Sequence, residues 1–377
     1  MEQILLSLAL MLLFAKLLGN LFERFGVASL VGEILAGIIL GPLLGWVVLG
    51  DFLGGFMTLG IIFLMFIAGM GVRLDDIRDN VYKATLLGIA GGVFSFVLGL
   101  MVGMIFFNDW LTAIAIGTVV ISTSNGALFL LLIKIKKFDT KIGKLIIATS
   151  IADDVLGIMA LALFRMYVHA TVSFFSLFSV LLVALGFYFF ILTAGSKAMV
   201  KVVNRLHVLS DEYMLFTIPV AIMLLLSFFT NNIGISLAAG AFLAGMAISN
   251  SHFADPVIAP KVATISYGFL LPVFYASVGT LLVFSGLNVF FIITIVSVAM
   301  AAKFVGCGLV SRLTGLSWSD AKLMGIAMMP RGEDNVGILQ LLVIVAAGIT
   351  TSVYTSMVFA IIATTIITPI FAKIFVK

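Results

Sequence analysis

The sequence has 377 residues, of which 63% are hydrophobic and only 10% are charged, and its formal net charge is +4. Ordinary soluble domains contain about 25% charged residues, so this composition, with a mean hydropathy of +1.30, excludes a soluble protein. Cys307 is the single cysteine, which excludes a disulfide framework or a cysteine metal site within one chain.

Apolar segments long enough to cross a hydrocarbon core of about 30 Å as helices follow one another along the whole chain. The first lacks a small-residue cleavage pattern and is followed at once by further segments, so we predict a retained helix and not a signal peptide. The sequence therefore predicts an all-α polytopic membrane protein of about thirteen transmembrane helices. They are expected at 3–22, 28–49, 54–72, 83–107, 110–135, 141–166, 173–200, 211–230, 234–249, 265–284, 288–312, 318–348 and 351–376.

The distribution of Lys and Arg between the connections predicts the orientation in the membrane. The odd-numbered connections and the C-terminus hold most of these residues, whereas the even-numbered connections hold only Arg165. We therefore expect a cell-membrane protein with its N-terminus outside and its C-terminus in the cytoplasm. The lysine cluster at 134–144 follows from the same rule, so it requires no nucleic-acid partner and is compatible with anionic lipid of the bilayer.

An internal repeat relates the two halves of the chain. The sequence GVASLVGEILAG at 26–37 resembles GISLAAGAFLAG at 234–245, and FIAGMG at 66–71 resembles FYASVG at 274–279 at the same offset. This offset places segments 1–6 on segments 8–13, and because a shift of seven helices is odd, the second copy is inverted. Six-helix inverted repeats are typical of secondary transporters; the alternative is that small-residue motifs recur by chance in a packed bundle.

Two segments related by the repeat are interrupted in mid-span. Segment 5 carries ISTSNGAL at 121–128, and segment 12 carries MPRGEDNVG at 329–337. Irregular backbone at this depth is tolerated only where it is buried or lines a water-filled cavity. We therefore predict two broken crossing helices, whose half-helix ends offer carbonyl oxygens to a cation. The residues assigned to the breaks are Ser122, Thr123, Ser124, Asn125, Pro330 and Gly332.

Asp153 and Asp154 lie side by side within the apolar segment 6. A charged residue at the centre of a membrane helix costs about 2.5 to 3.5 kcal/mol on insertion scales, and it usually marks an ion or proton path. Neighbouring helix residues point about 100° apart, so one acid can pair with a lysine while the other faces a cavity. Burial favours the protonated carboxyl and a bound Na⁺ favours the carboxylate, so proton and cation compete for one group.

Asp154 and Asp153 are candidate cation- or proton-binding groups, and oxygen atoms near them are candidate ligands for Na⁺ or Li⁺. Ser150 precedes Asp154 by four residues and shares its helix face, although a serine can instead bond to its own backbone. Thr123 in the first break is a further candidate. The charged side chains expected to compensate charge at the site are Lys303, Arg331, Glu333 and Asp334.

Several motifs resemble one family of ion transporters over nearly the whole chain. They are VGEILAGIILGP, TSNG, IADDVLG, GAFLAG, FLLPVFYASVG, AAKFVG with Lys303, and MPRGE. In these motifs the chain resembles the NapA-type sodium/proton branch of the second monovalent cation/proton antiporter family. The resemblance implies an NhaA/NapA-like fold, with Asp154 carrying Na⁺ or protons, Asp153 paired with Lys303, and electrogenic exchange. We expect no cofactor and no enzymatic activity.

The same resemblance implies a mobile ion-carrying domain that moves against a dimer-forming domain. Segments 1–3 and 8–10 would form the dimer domain at 1–82 and 209–286. Segments 4–6 and 11–13 would form the core domain at 83–168 and 287–377. Segment 7, at 169–208, would link them, and the protein is expected to be a homodimer.

The sequence departs from the family pattern after RGE, where Asp334 and Asn335 follow as in a two-residue insertion or a local rewrite. Asp334 could add a cation ligand or neutralise Arg331, so selectivity stays open. Within transport, the alternative is a potassium/proton antiporter of the Kef-like branch, although that branch usually has a Gln and a His-Asp pair where this chain reads IADD. A channel is disfavoured because no motif resembles a carbonyl filter, and an intramembrane aspartyl protease needs its two acids on different helices.

Overall fold

A computed structural model describes residues 2–48, 50–71, 81–138, 140–168, 213–232, 237–249, 251, 254–346 and 349–375. Within this part of the chain there are eight helices long and apolar enough to cross a membrane, together with four shorter apolar helices. These helices match twelve of the thirteen predicted segments, and the described regular structure is all helical, which confirms the predicted fold class. Segment 7, and with it the linker at 169–208, lies outside the described residues.

The helices are numbered here in chain order. They are α1 Glu2–Arg24, α2 Ser29–Ile38, α3 Asp51–Met70, α4 Val81–Phe107, α5 Trp110–Val119, α6 Asn125–Lys134, α7 Lys141–Val168, α8 Met214–Asn232, α9 Leu237–Ser249, α10 Ala259–Ile265, α11 Leu271–Thr280, α12 Val289–Lys303, α13 Val310–Leu313, α14 Trp318–Ala327, α15 Glu333–Val345 and α16 Thr351–Phe375. Wider π-helical turns extend or join several of them, at Ile39–Leu43, Ala254–Ile258, Ser266–Leu270 and Phe304–Leu309.

Short polar residues begin several of the described helices, among them α5 and α12. The side chain of Asp109 accepts a hydrogen bond from the Thr112 amide at 2.8 Å and starts α5, and Asn288 accepts one from the Phe291 amide at 3.0 Å and starts α12. These side chains satisfy amide groups that have no partner inside the helix. Hydrogen bonds from the Thr112 hydroxyl and amide also lower the pKa of Asp109, so the cap remains ionised in mild acid.

The predicted start of segment 10 was wrong. We expected it at 265, but the helical backbone begins at Ala254 and runs through α10 into α11. The prolines and the lysine of this stretch are typical of a connection, which explains the error. Pro256 instead lies in the first turn of this helical backbone, where a helix needs no amide donor from the residue.

Equivalent glycines of the two repeat motifs make equivalent close contacts. Gly37 in α2 lies against the backbone of Ala276 in α11, and Gly245 in α9 lies against the backbone of Phe66 in α3. A side chain at either glycine would overlap a carbonyl group, so these helices can cross this closely only with glycine at that position. The same motif therefore builds two helix crossings, and each of them joins a helix of the first half of the chain to a helix of the second half.

The described helices pack mainly within two groups. One group contains α1–α3 with α8–α11, and the other contains α4–α7 with α12–α16. Contacts between the groups are fewer and include α3 with α15 and α7 with α9. A polar contact also joins them, because Arg165 at the end of α7 donates from Nη1 to Oδ1 of Asn231 at 2.6 Å.

Candidate cation and proton site

Two interrupted helices meet at the centre of the second helix group, as the sequence predicts. Helix α5 ends at Val119 and α6 begins at Asn125, while α14 ends at Ala327 and α15 begins at Glu333. The two irregular stretches run against each other, and the amide of Ser124 donates to the carbonyl of Pro330 at 2.9 Å. This hydrogen bond satisfies one backbone group in each break, as a membrane interior requires.

The carbonyl end of α14 is closed by the guanidinium of Arg331, not left open for a transported ion. Its Nη1 donates to the carbonyls of Met328 at 3.2 Å and Met329 at 3.1 Å, and its Nη2 donates to Ala299 at 3.1 Å. A fixed cation is favourable at this negative end of a helix. The expectation that both half-helix ends offer free carbonyls to Na⁺ is therefore corrected for this end.

The carbonyl end of α5 is closed by Asn335 from the other break. Its Nδ2 donates to the carbonyls of Val119 at 2.7 Å and Ser122 at 2.9 Å, while its Oδ1 accepts from the amide of Gly332 at 2.8 Å. One buried side chain thus joins both interruptions. Sequence reasoning treated Asn335 only as a departure from the family pattern. The feature that could have indicated its role was an amide side chain in the first turn after a break.

Two threonines of α16 complete the second break. The hydroxyl oxygen of Thr364 accepts from the Arg331 amide at 3.1 Å, and the hydroxyl of Thr365 donates to the Arg331 carbonyl. Both side chains are buried. These residues were missed, although adjacent threonines in the middle of an apolar segment were a usable signal.

Asp153 and Lys303 form an ion pair in which neither side chain has exposed surface. Gly91 of α4 lies beside this pair, and a Cβ at this position would overlap the sulfur of Cys307. The hydroxyl of Thr123 lies 2.9 Å from Oδ2 of Asp153. Thr123 was expected to bind the cation with Asp154, but it contacts the neighbouring acid instead.

Asp154 faces the first break and has a different set of contacts. Its side chain is 6% exposed, and its Oδ2 accepts from Nδ2 of Asn125 at 2.6 Å. Its Oδ1 is buried and has no hydrogen-bond partner among the described residues. Adjacent acids on one helix are therefore separated into one paired with a lysine and one with a free coordinating oxygen, as their 100° separation predicts.

Ser150 contacts Asn125, which in turn contacts Asp154. Its hydroxyl is 2.9 Å from Oδ1 of Asn125 and 2.9 Å from the carbonyl of Ile147, so it donates to one of these acceptors. The first of these contacts orients the Asn125 amide so that its nitrogen points at Asp154. The predicted role of Ser150 as a direct ligand is not what these contacts favour, and Asn125, assigned only to the break, contacts Asp154 itself.

Asp334 lies in the first turn of α15 and is 5% exposed. Its Oδ2 is 3.4 Å from Nδ2 of Asn125, so the same amide reaches carboxylates on two helices. Glu333, which was also expected to compensate charge at the site, has its side chain outside the part of the structure that is described.

Comparison with known proteins identifies the family to which this site belongs. Residues 9–377 match the family described as "Sodium/hydrogen exchanger, transmembrane". The chain belongs to this family. The motif-based prediction of a sodium/proton antiporter family is thereby confirmed, and the chain is a transporter of the sodium/proton exchange type.

Two curated relatives cover almost the whole of this antiporter. It is 29% identical to the Na⁺/H⁺-K⁺ antiporter GerN of Bacillus cereus over 371 residues, which is 96% of this chain and 94% of GerN. It is 26% identical to a Na⁺/H⁺ antiporter of Enterococcus hirae over 379 residues, covering 98% of this chain and 97% of the relative.

A solved structure supports the fold independently. The sodium proton antiporter MjNhaP1 of Methanocaldococcus jannaschii superimposes with a TM-score of 0.72 and 14% sequence identity. The match covers 98% of this chain and 96% of that one. At 14% identity the match establishes the antiporter fold but does not assign roles to individual residues.

Proposed function

We propose that Asp154 is the group to which Na⁺ and H⁺ bind alternately during exchange. The single observation that carries this proposal is its buried Oδ1, which has no hydrogen-bond partner among the described residues while lying at the crossing of two broken helices. A carboxylate oxygen held in this way is a suitable ligand for a hard monovalent cation or for a proton. Because both occupy the same oxygen, binding of one requires release of the other.

Neighbouring residues hold the acid in place without neutralising it. Lys303 is paired with Asp153, and Arg331 donates to backbone carbonyls. Both cations therefore stabilise their own surroundings, and the charge of Asp154 is left for the transported ion. Asn125 and Ser150 fix the orientation of the carboxylate, Thr123 does the same for Asp153, and no cofactor or enzymatic step is required.

Exchange is proposed to be electrogenic, which requires more protons than Na⁺ ions in each cycle. Asp154 alone accounts for one proton. A further proton has to come from a second titratable group, and the Asp153–Lys303 pair lies directly beside the site on the same helix.

Alternating access would arise from movement between two helix groups. The core domain at 83–168 and 287–377 contains the site, and the dimer domain at 1–82 and 209–286 would stay fixed within a homodimer. The smaller number of contacts between the groups supports this division. The linker at 169–208 would connect them, and the positive-inside rule supports a cell-membrane location with an outer N-terminus and a cytoplasmic C-terminus.

A second candidate is exchange of K⁺ for H⁺, as in the Kef-like branch. One observation supports testing this candidate: the relative GerN is named as an antiporter of K⁺ as well as Na⁺. The acids and amide around Asp154 supply oxygen ligands, whose number and spacing decide between these ions.

The test is exchange by the purified protein in proteoliposomes that carry a pH-sensitive dye. An outward or inward pulse of Na⁺, Li⁺ or K⁺ is applied, and dequenching reports proton movement. We expect Na⁺ and Li⁺ to drive proton flux and Asp154→Asn to abolish it. Absence of any Na⁺-driven proton flux in wild type would reject the function, and flux driven by K⁺ alone would favour the second candidate.

A further inference from the structure

We infer that a groove in the second helix group binds an acyl chain of an anionic phospholipid, whose headgroup contacts Lys322. The groove lies between α12, α14 and α16 and has a volume of about 660 Å³. Ligand-binding cavities in proteins typically measure about 300–1,000 Å³. The acids of the exchange site do not line this groove, so the inference does not depend on which cation is transported.

Apolar side chains form the walls of the groove. Met300 and Phe304 line it from α12 and the π-helical turn that follows, and Met329 lines it just after the end of α14. Phe371 and Phe375 line it from the last turns of α16, where their ring centroids are 5.7 Å apart. Walls of this kind, on helices that cross a membrane, suit a hydrocarbon chain and offer few partners to a polar solute.

Lys322 supplies a positive charge at one end of the groove. It lies in the first half of α14, seven residues before Met329, which corresponds to about 10 Å along the helix axis. Its side chain is exposed and forms no ion pair with an acid of the described chain. The other polar residue of the lining is the uncharged Ser297. A long apolar groove with a lysine at one end matches the chain and the headgroup of an anionic lipid.

A second basic side chain lies near the start of α14. The guanidinium of Arg312 is 5.5 Å from the ring centroid of Trp318, and it donates to the carbonyl of Leu316 at 2.7 Å. Trp318 precedes Lys322 by four residues, so the two share a helix face. Asp320 lies about 200° around the helix from Lys322 and is not part of the lining. A tryptophan with basic neighbours is typical of the membrane–water interface.

The proposed orientation places this end of the groove on the cytoplasmic side of the membrane. Anionic lipids make the cytoplasmic surface negative, and basic pockets between membrane helices on that side bind anionic headgroups. A zwitterionic headgroup carries its own ammonium group and gains less from a lysine. The charge of Lys322 therefore favours an anionic phospholipid as the occupant.

The other end of the groove lies beside the second interrupted helix. The carbonyl of Met329 accepts from Arg331 at 3.1 Å, and Arg331 also donates to the carbonyl of Ala299, the neighbour of Met300 in α12. A chain packed against both methionines would therefore hold α12 and α14 together next to this closed helix end. Because such a lipid binds the folded protein, it should raise the thermal unfolding midpoint.

The experiment measures lipid binding to the purified, delipidated full chain by native mass spectrometry. The probes are phosphatidylglycerol, phosphatidylcholine and inorganic phosphate. We expect phosphatidylglycerol to bind wild type more tightly than phosphatidylcholine does. Lys322→Gln should weaken phosphatidylglycerol binding about fivefold, which is what one lysine near an anionic lipid surface contributes. Lys373→Gln is the matched control, because it removes an exposed lysine of α16 that does not line the groove, and it should bind as wild type.

A second variant tests the position of the acyl chain. Ala301 lines the groove from an exposed position on α12, so Ala301→Phe fills the groove without entering the core. We expect this variant to bind both lipids more weakly and to lose the rise in unfolding midpoint that phosphatidylglycerol gives wild type. Inorganic phosphate should give no such rise, because it cannot occupy the apolar part of the groove.

A third measurement uses wild type alone, so it remains decisive where a variant fails to fold. Phosphatidylglycerol with a photoactivatable group in its chain should label the parts of α14 and α16 that line the groove. Excess phosphatidylglycerol should prevent this labelling, whereas phosphatidylcholine should not. Equal affinity of wild type and folded Lys322→Gln for phosphatidylglycerol, equal stabilisation by inorganic phosphate, or labelling prevented equally by both lipids would overturn the inference.

Discussion

Lys303 contacts Asp153, and both side chains are fully buried, although Asp154 is the next residue of the same helix. The pairing separates two chemically identical acids into different roles. One is paired with a lysine, and the other has a buried carboxylate oxygen without a hydrogen-bond partner among the described residues. The two acids have different contacts because neighbouring residues of a helix point about 100° apart.

Asp154→Asn should abolish Na⁺-driven proton flux because the amide cannot exchange a proton for a cation. The variant should remain folded, since the amide removes a buried acid whose Oδ1 lacks a partner among the described residues. Proton flux in proteoliposomes and the thermal unfolding midpoint in detergent check both statements. Normal turnover by this variant would show that another group carries the ions.

Lys303→Met should destabilise the protein by about 3–5 kcal/mol, because it leaves the Asp153 carboxylate buried without its counter-ion. The double variant Asp153→Asn with Lys303→Met should recover most of this loss, since both charges are then absent. Thermal unfolding of the two single variants and the double variant measures the coupling. Equal loss in Lys303→Met and in the double variant would contradict a direct pairing.

Asn335→Ala should lower the stability of the crossing by at least about 1–3 kcal/mol, the cost of leaving buried polar groups unpaired. The variant exposes no new surface but removes three hydrogen bonds, two of which reach the end of α5. We expect a lower maximal rate and a lower unfolding midpoint. A variant with wild-type stability and rate would mean that the two breaks do not depend on this side chain.

A reducible cross-link between the two helix groups should stop transport if the groups move against each other. The double variant Arg165→Cys with Asn231→Cys places thiols on α7 and α8, at residues whose side-chain tips are 2.6 Å apart. A long arginine side chain bridges a gap that a disulfide is too short to close, so a reducible bis-maleimide joins the two thiols. Cross-linking should abolish exchange, and reduction should restore it. As a control, Phe106→Cys with Phe290→Cys lies within one group, where the rings are 5.6 Å apart, so the same treatment should leave exchange intact.

Composition and periodicity were enough to predict the helical membrane fold, because each span has to satisfy its backbone internally. The repeat motifs also located two close helix crossings, since small residues are needed wherever backbones approach. The start of α10 was predicted less well. A proline such as Pro256 often follows the end of a helix, but it is equally suited to the first turn, and only the folded structure distinguishes these cases.

The site was only partly predictable from the sequence. Helix geometry separates Asp153 from Asp154, but it cannot tell which residue of another segment reaches each acid. Asn125 was therefore predicted only as part of a break, and Asn335 only as a departure from the family pattern, although one contacts Asp154 and the other closes the end of α5. Their roles depend on contacts between segments far apart in the chain, which no local pattern records.

The apparent KM for Na⁺ measured as a function of pH tests the central claim most directly, because proton and cation are proposed to compete for one carboxylate. Solid-supported-membrane electrophysiology under Na⁺ steps provides this value for the wild-type protein. Competition predicts that the KM rises as pH falls, approaching about tenfold per pH unit on the acid side, while saturating Na⁺ restores the maximal current. A KM that stays constant across pH, with acid lowering only the maximal current, would contradict binding of Na⁺ and H⁺ at the same group.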